Sequence, residues 1–225
     1  MPTVSETRNV SNFSEIALQG YGDLTIEQNP NAPESLVIEA DQDLMSRLTS
    51  EVRDGRLILG FDMPWYDWLG WGLEWLFTPN KAIRYHISLK QFNGVALSGA
   101  ANLSAGKLQS TSGMCKLVVS GAGKVRIAEL QAQSLATTIS GSGDIEIGSG
   151  SAAQHDLHIS GSGSVKAAGL QTTETRISVS GAGSAEVDAL QTLTVHISGA
   201  GSVRYNGSPV VNQQISGAGS IKPLH

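Results

Sequence analysis

The sequence predicts an all-β protein, a right-handed parallel β-helix (solenoid) of about 20-residue rungs with Ser-Gly-x-Gly corners and an irregular N-terminal part. Three observations predict it. A short motif recurs at a near-constant interval, apolar residues alternate on both sides of it, and the chain spends 26 residues on glycine while aromatics make up only 5%.

The motif Ser-Gly-Ala/Ser-Gly (or Ala) begins at Ser98, Ser120, Ser140, Ser160, Ser180, Ser198 and Ser216, with steps of 22, 20, 20, 20, 18 and 18 residues. Before the serine, alternate positions are apolar: Leu117 and Val119, Leu157 and Ile159, Ile177 and Val179, Val195 and Ile197. After it, the fifth and seventh positions are mostly apolar, as in Val125/Ile127, Ile145/Ile147 and Ala185/Val187, and the tenth is Leu at 108, 130, 170 and 190. Alternation with period two on either side of a glycine corner reads as strand, bend, strand. One unit is too short for a helix and two strands but fits one coil of a solenoid, each strand pairing in parallel with its counterpart a rung away. The crossover preference gives the right-handed winding. Six steps of about 4.8 Å stack to roughly 29 Å.

The outward columns carry a second pattern. The sixth position after the serine holds Ser104, Arg126, Glu146, Lys166, Glu186, Arg204 and Lys222, so charges alternate in sign from Arg126 to Arg204. Opposite charges across neighbouring strands contribute only a few tenths to about 1 kcal/mol each, but they oppose a one-rung slip. Gln109, Gln131, Gln171 and Gln191 follow the recurrent Leu and suggest an amide ladder. The single cysteine, Cys115, lies five residues before Ser120 on the inward side, and is expected to be a buried free thiol. Pro223 occupies a strand position of the last rung, where it cannot donate to a ladder, and reads as a stop on an open edge.

The chain divides into an N-terminal part, 1–90, of irregular rungs or a cap with a Trp-rich insertion at 62–80, and a regular β-helix, 91–225. Ile16, Leu18, Gln19-Gly20-Tyr21-Gly22, Leu24 and Ile26 form a diverged copy of the repeat, with Gln19 in the serine's place. Leu36–Ile38 and Leu57–Leu59 read as strands, the second preceded by the turn signal Asp54-Gly55. Between them Asp41–Thr49 suggests one short helix, with Asp41 as N-cap and Leu44 and Leu48 on one face. Ile83, Tyr85, Ile87 and Leu89 alternate as a strand.

The insertion holds all four tryptophans, Trp65, Trp68, Trp71 and Trp75, between Pro64 and Pro79. A hydrophobic plug over one end of the helix is the structural reading; a subunit or protein contact, a sugar site and membrane insertion are the others. Four large aromatics within eleven residues do not fit columns of Val, Ile, Ala and Leu. At least two are therefore expected at the surface or under another chain, as candidate partner-binding residues, with self-association through this segment included.

A formal net charge of −5 argues against a general nucleic-acid binder. No apolar run approaches the roughly 18 residues of a membrane-spanning helix. Met1–Glu6 lacks the basic start and apolar stretch of a signal peptide, which leaves both a cytoplasmic chain and a mature exported one open.

Catalytic constellations do not assemble. Glycoside hydrolysis needs two carboxylates across a cleft, yet Asp144, Glu146, Asp156, Glu186 and Asp188 occupy several columns, and Lys166 separates Glu146 from Glu186. His158 and His196 share an outward column with Ser178 between them, while His155, His86 and His225 stand apart, so no three ligands converge on a metal. The seven corner serines have no recurring histidine beside them and read as structural residues whose hydroxyls bond backbone groups. No catalytic residue, metal or cofactor is expected.

A diverged Gly-x-Gly-Asp-Leu near the start, a strand–Asp-Gly–strand unit and the repeated Ile-Ser-Gly-x-Gly-x-Val together resemble the head GIN domain family of autotransporter adhesin heads, over residues 10 to 221. The resemblance implies a bacterial β-helical domain that is exported: periplasmic, outer-membrane-associated or secreted with its signal removed. It implies a non-catalytic, adhesin-like interaction module whose partner is a protein or envelope component, and transfers no catalytic or ligand residues. A carbohydrate-active enzyme or carbohydrate-binding β-helix is the competing reading, disfavoured by the missing carboxylate pair.

Overall fold

Alternating apolar residues become inward ladders when successive rungs stack in register. In a computed structural model describing residues 3–62 and 82–224, the chain is nearly all β and winds as a β-solenoid of about six turns. The regular rungs comprise β7 (Gly94–Gln109), β8 (Met114–Gly121), β9 (Lys124–Gly141), β10 (Asp144–Gly161), β11 (Ser164–Gly181), β12 (Ser184–Gly199), β13 (Ser202–Asn206), β14 (Val210–Gly217) and β15 (Ser220–Pro223). All their pairings are parallel, and the corner serines align one above another from Ser98 to Ser216. The residue before each of the first six serines (Leu97, Val119, Ile139, Ile159, Val179, Ile197) is at most 2% exposed. Each such side chain contributes about 1.5–3 kcal/mol, so stability is spread along the stack. Cys115 is fully buried in this core, as its register requires.

The two glycines of the motif have separate causes, visible in the rung at Ser160. Gly161 has φ +119°, and a Cβ there would lie 2.4 Å from the Gly141 carbonyl oxygen a rung away. That carbonyl accepts the Ser162 N–H at 2.9 Å, so the ladder continues through the bend. Gly163 lies outside the left-handed region, and its Cβ would meet both the Gly143 carbonyl oxygen and the Ile139 side chain at 2.5 Å. The first glycine lets the backbone turn; the second makes room for the apolar residue of the preceding rung.

The N-terminal part joins the same sheet and then reverses direction. The diverged copy forms β2 (Glu15–Gln28), parallel to β7, with Gln19 opposite Ser98. On its other edge lie β5 (Arg56–Phe61), beside residues 15–18, and β6 (Arg84–Leu89), beside 23–28, both parallel to β2. Antiparallel strands complete this end. β4 (Leu48–Arg53) forms a hairpin with β5 through Asp54 and Gly55, both at positive φ, and β3 (Ser35–Asp41) pairs with β6 and with β1 (Thr3–Arg8).

Three expectations need correction. The short helix, α1, covers only Gln42–Met45 and Asp41 makes no side-chain cap, because Leu48 is claimed by β4 opposite Phe61. Leu190 is 50% exposed, and Ala189 takes the inward place. The cause is the shortened rung: the β11–β12 register jumps between Ala167 and Gln171, which pairs with Asp188. The amide ladder also fails. Gln109 pairs with Gln131, but Ser151 separates Gln131 from Gln171, and the same jump carries Gln191 out of the column.

Candidate functional site

Many of the charges on the solenoid flanks pair across neighbouring rungs. Arg126–Glu146 (3.4 Å) and Glu186–Arg204 (3.0 Å) close within the alternating column, and Lys124–Asp144 and Asp156–Arg176 (each 3.6 Å) close beside it. Four of the five repeat acids thus face a cation, and none forms a carboxylate pair across a cleft. Two shallow hollows near β2 fare no better. One, lined by Asn12, Phe13, Ser14, Glu34, Lys90 and Gln91, holds a single carboxylate, which accepts the Asn12 N–H at 2.6 Å. The other holds only Glu15, engaged by Arg56. Among the described residues no three His, Cys, Asp or Glu converge as metal ligands. His158, Ser178 and His196 stand in consecutive rungs of one outward column.

The corner serines form a ridge, exposed at Ser98, Ser140, Ser160, Ser180, Ser198 and Ser216 and half-buried at Ser120. Backbone groups, not hydroxyls, make the hydrogen bonds at the bends: Ser142, Ser162, Ala182 and Ala200 N–H donate to glycine carbonyls one rung back.

Sequence reasoning missed a buried polar seam. His155 is 1% exposed and lies between Leu135 and Thr175 in the inward column that also contains Cys115. Its Nε2 is 3.0 Å from Thr137 Oγ1, while Nδ1 has no partner among the described residues. A rung away Thr172 donates to the Asp188 carbonyl at 2.7 Å and shares a hydrogen bond with Thr175. Burial lowers the imidazole to about 4, against a weak opposing pull from Asp156. Burial likewise pushes the Cys115 thiol up to about 12. Counting five residues back from Ser160, the operation that placed Cys115, would have found His155.

One corner departs from the repeat. In the rung stacked on β2, Leu59 lies opposite Leu18 and Arg84 opposite Asp23. Where β2 bridges these positions with Gln19–Gly22, its neighbour uses residues 60–83. The insertion therefore replaces a corner. Its described base is aromatic: Phe61 stacks on Tyr21 with ring centroids 5.2 Å apart at 23°, over Gly20, where a Cβ would meet the Phe61 ring at 2.7 Å. Tyr85 is fully buried beside Gly22, with no partner for its hydroxyl among the described residues, and burial raises its ionisation, as it does for Tyr21. Trp65, Trp68, Trp71 and Trp75 lie outside the described residues.

Residues 12–209 match a family model described as "Putative auto-transporter adhesin, head GIN domain". The fold recurs in a "putative adhesin" from Bacteroides fragilis NCTC 9343, with 22% identity, a TM-score of 0.84, and coverage of 99% of this chain and 97% of that one. It recurs in a "putative lipid binding protein" from Parabacteroides distasonis ATCC 8503 (20% identity, TM-score 0.75, 99% and 97% coverage). A "putative adhesin" from Parabacteroides merdae ATCC 43184 shares it too (22%, 0.68, 99% and 96%). No curated protein matches the chain. Among the described residues no helix is long and apolar enough to cross a membrane.

Proposed function

The chain belongs to the head GIN domain family, and from that membership we propose that it is a non-catalytic, adhesin-like interaction module of the cell envelope or exterior. The observation that carries the reading is the replaced corner. On the solenoid flanks four of the five repeat acids are paired with a cation, whereas the rung over β2 exchanges a four-residue bend for a segment with four tryptophans. Tryptophan is enriched among the anchors of protein contacts because it brings a large, rigid apolar area with one polar N–H. Trp65, Trp68, Trp71 and Trp75 are the proposed contact residues, and a protein or other envelope component is the proposed partner.

Indole faces also stack on sugars, so a carbohydrate ligand for the same residues is the second reading. One experiment separates the two and tests both. Purified full-length chain is presented to isolated envelope, before and after protease treatment, and to a glycan array. A protein partner predicts capture that protease abolishes; a sugar partner predicts protease-resistant capture and array signal. In both cases replacing the four tryptophans with Ser removes binding while the circular dichroism spectrum and unfolding midpoint hold. Undiminished binding by that variant would reject the assignment.

A further inference from the structure

We propose that the C-terminal end of the stack is a self-association edge, at which β14 pairs antiparallel with β14 of a second copy about a two-fold axis. β14 is hydrogen-bonded on one side to β12, and no described strand pairs with its other side. Its inward residues Val211, Gln213 and Ile215 stack on Leu193, Val195 and Ile197, which are 0, 0 and 2% exposed. One rung later the column is uncovered: Ile215 is 39% exposed and Gln213 lies open.

Charge distinguishes this edge from those at the other end. The outermost strands there, β1 and β4, each carry an Arg–Glu pair along the strand, Arg8–Glu6 and Arg53–Glu51, both at 3.0 Å. Charged edge strands resist pairing with another chain. β14, Val-Val-Asn-Gln-Gln-Ile-Ser-Gly, carries no charge at all. An occupant must therefore offer extended, uncharged, partly apolar backbone, and a second β14 does. Stacking head to tail would bring the edge against the antiparallel, charge-guarded strands, and Pro223 withdraws the β15 half of the last rung. Tail-to-tail pairing remains. It closes as a dimer instead of propagating into a fibre.

Side-chain parity then limits the register. Inward residues of both copies stay on one face only when odd-numbered residues pair with odd. Gln213 opposite Gln213 sets Val211 of each copy against Ile215 of the other, restoring apolar cover to both open columns. It also brings the two Gln213 carboxamides together, where each donates to the other. That accounts for a glutamine at the uncovered end of a column that runs Leu117, Thr137, Leu157, Ile177 and Val195.

Sedimentation equilibrium of the full chain tests this. The wild type is expected to dimerise. Gln213→Glu and Gln213→Lys, each alone, set like charges face to face and should weaken the dimer roughly tenfold or more; mixed in equal amounts they should recover it. Gln213 is exposed, so both variants should keep the wild-type circular dichroism spectrum. The chain with all four tryptophans changed to Ser should remain dimeric, which separates this surface from the insertion. A wild type monomeric up to its solubility limit, a dimer indifferent to both Gln213 variants, or a dimer lost with the tryptophans would overturn the proposal.

Discussion

At the scale of single residues, an inward position in a solenoid leaves little latitude. Gly161 combines a positive φ with a Cβ position 2.4 Å from a backbone oxygen that cannot move without breaking a rung. Gly106 has an ordinary φ and nothing within 4 Å. Gly161→Ala should therefore cost on the order of 2–4 kcal/mol, and Gly106→Ala should be neutral or stabilise by up to about 1 kcal/mol. Urea unfolding of both variants checks the contrast. His155 supplies the pH dependence. Its folded pKa, about 4, lies below the ordinary histidine value of 6.5, so below pH 6.5 the unfolded chain binds the proton that the folded chain refuses. This contribution is fully present above about pH 6.5, is lost as pH falls toward 4, and amounts to roughly 3 kcal/mol. His155→Leu combined with Thr137→Val removes the proton site and its hydroxyl partner together. The double variant should show a flatter stability profile between pH 6.5 and 4 than the wild type, and equal slopes would refute the assignment.

At the scale of elements, the rung was legible because two independent periods coincide: the interval between Ser-Gly corners and the in–out alternation of strands. Their agreement fixed the columns of Val125, Ile145 and Val165 and the inward place of Cys115. Legibility failed where one period slipped. The contracted rung before Ser198 keeps the Leu-Gln pair at 190–191 but omits the residues that would have turned Leu190 inward. The antiparallel end was unreadable for another reason: β3 between β1 and β6 is a non-local pairing, and alternation within a strand does not name its neighbour. At the replaced corner, the aromatic character of residues 62–80 was plain, but the stacking of Phe61 on Tyr21 over Gly20 was not, because it depends on the register that sets Leu59 opposite Leu18. Pro223 gives this scale its prediction. It lies opposite Tyr205 on β15, where a donor would complete the second half of the terminal rung. Pro223→Val should increase end-to-end association by adding β15 to the competent edge, and an unchanged sedimentation profile would mean that the edge is protected by something else.

At the scale of the whole molecule, the stack has unlike ends. One end closes in antiparallel strands whose outermost members each carry an Arg–Glu pair, Arg8–Glu6 and Arg53–Glu51; at the other, β14 carries no charge and no described strand covers its outer side. Along the sides between them, Lys124–Asp144, Arg126–Glu146, Asp156–Arg176 and Glu186–Arg204 pair opposite charges across neighbouring rungs. The account stands or falls on whether the tryptophans are available for contact, since they would otherwise serve as a plug for the core. Acrylamide quenching of tryptophan fluorescence in the isolated, folded chain measures this directly. At least two of Trp65, Trp68, Trp71 and Trp75 should be quenched with the efficiency of solvent-exposed indole. Four shielded tryptophans in the chain diluted to its monomeric form would contradict the account and leave the insertion as a plug.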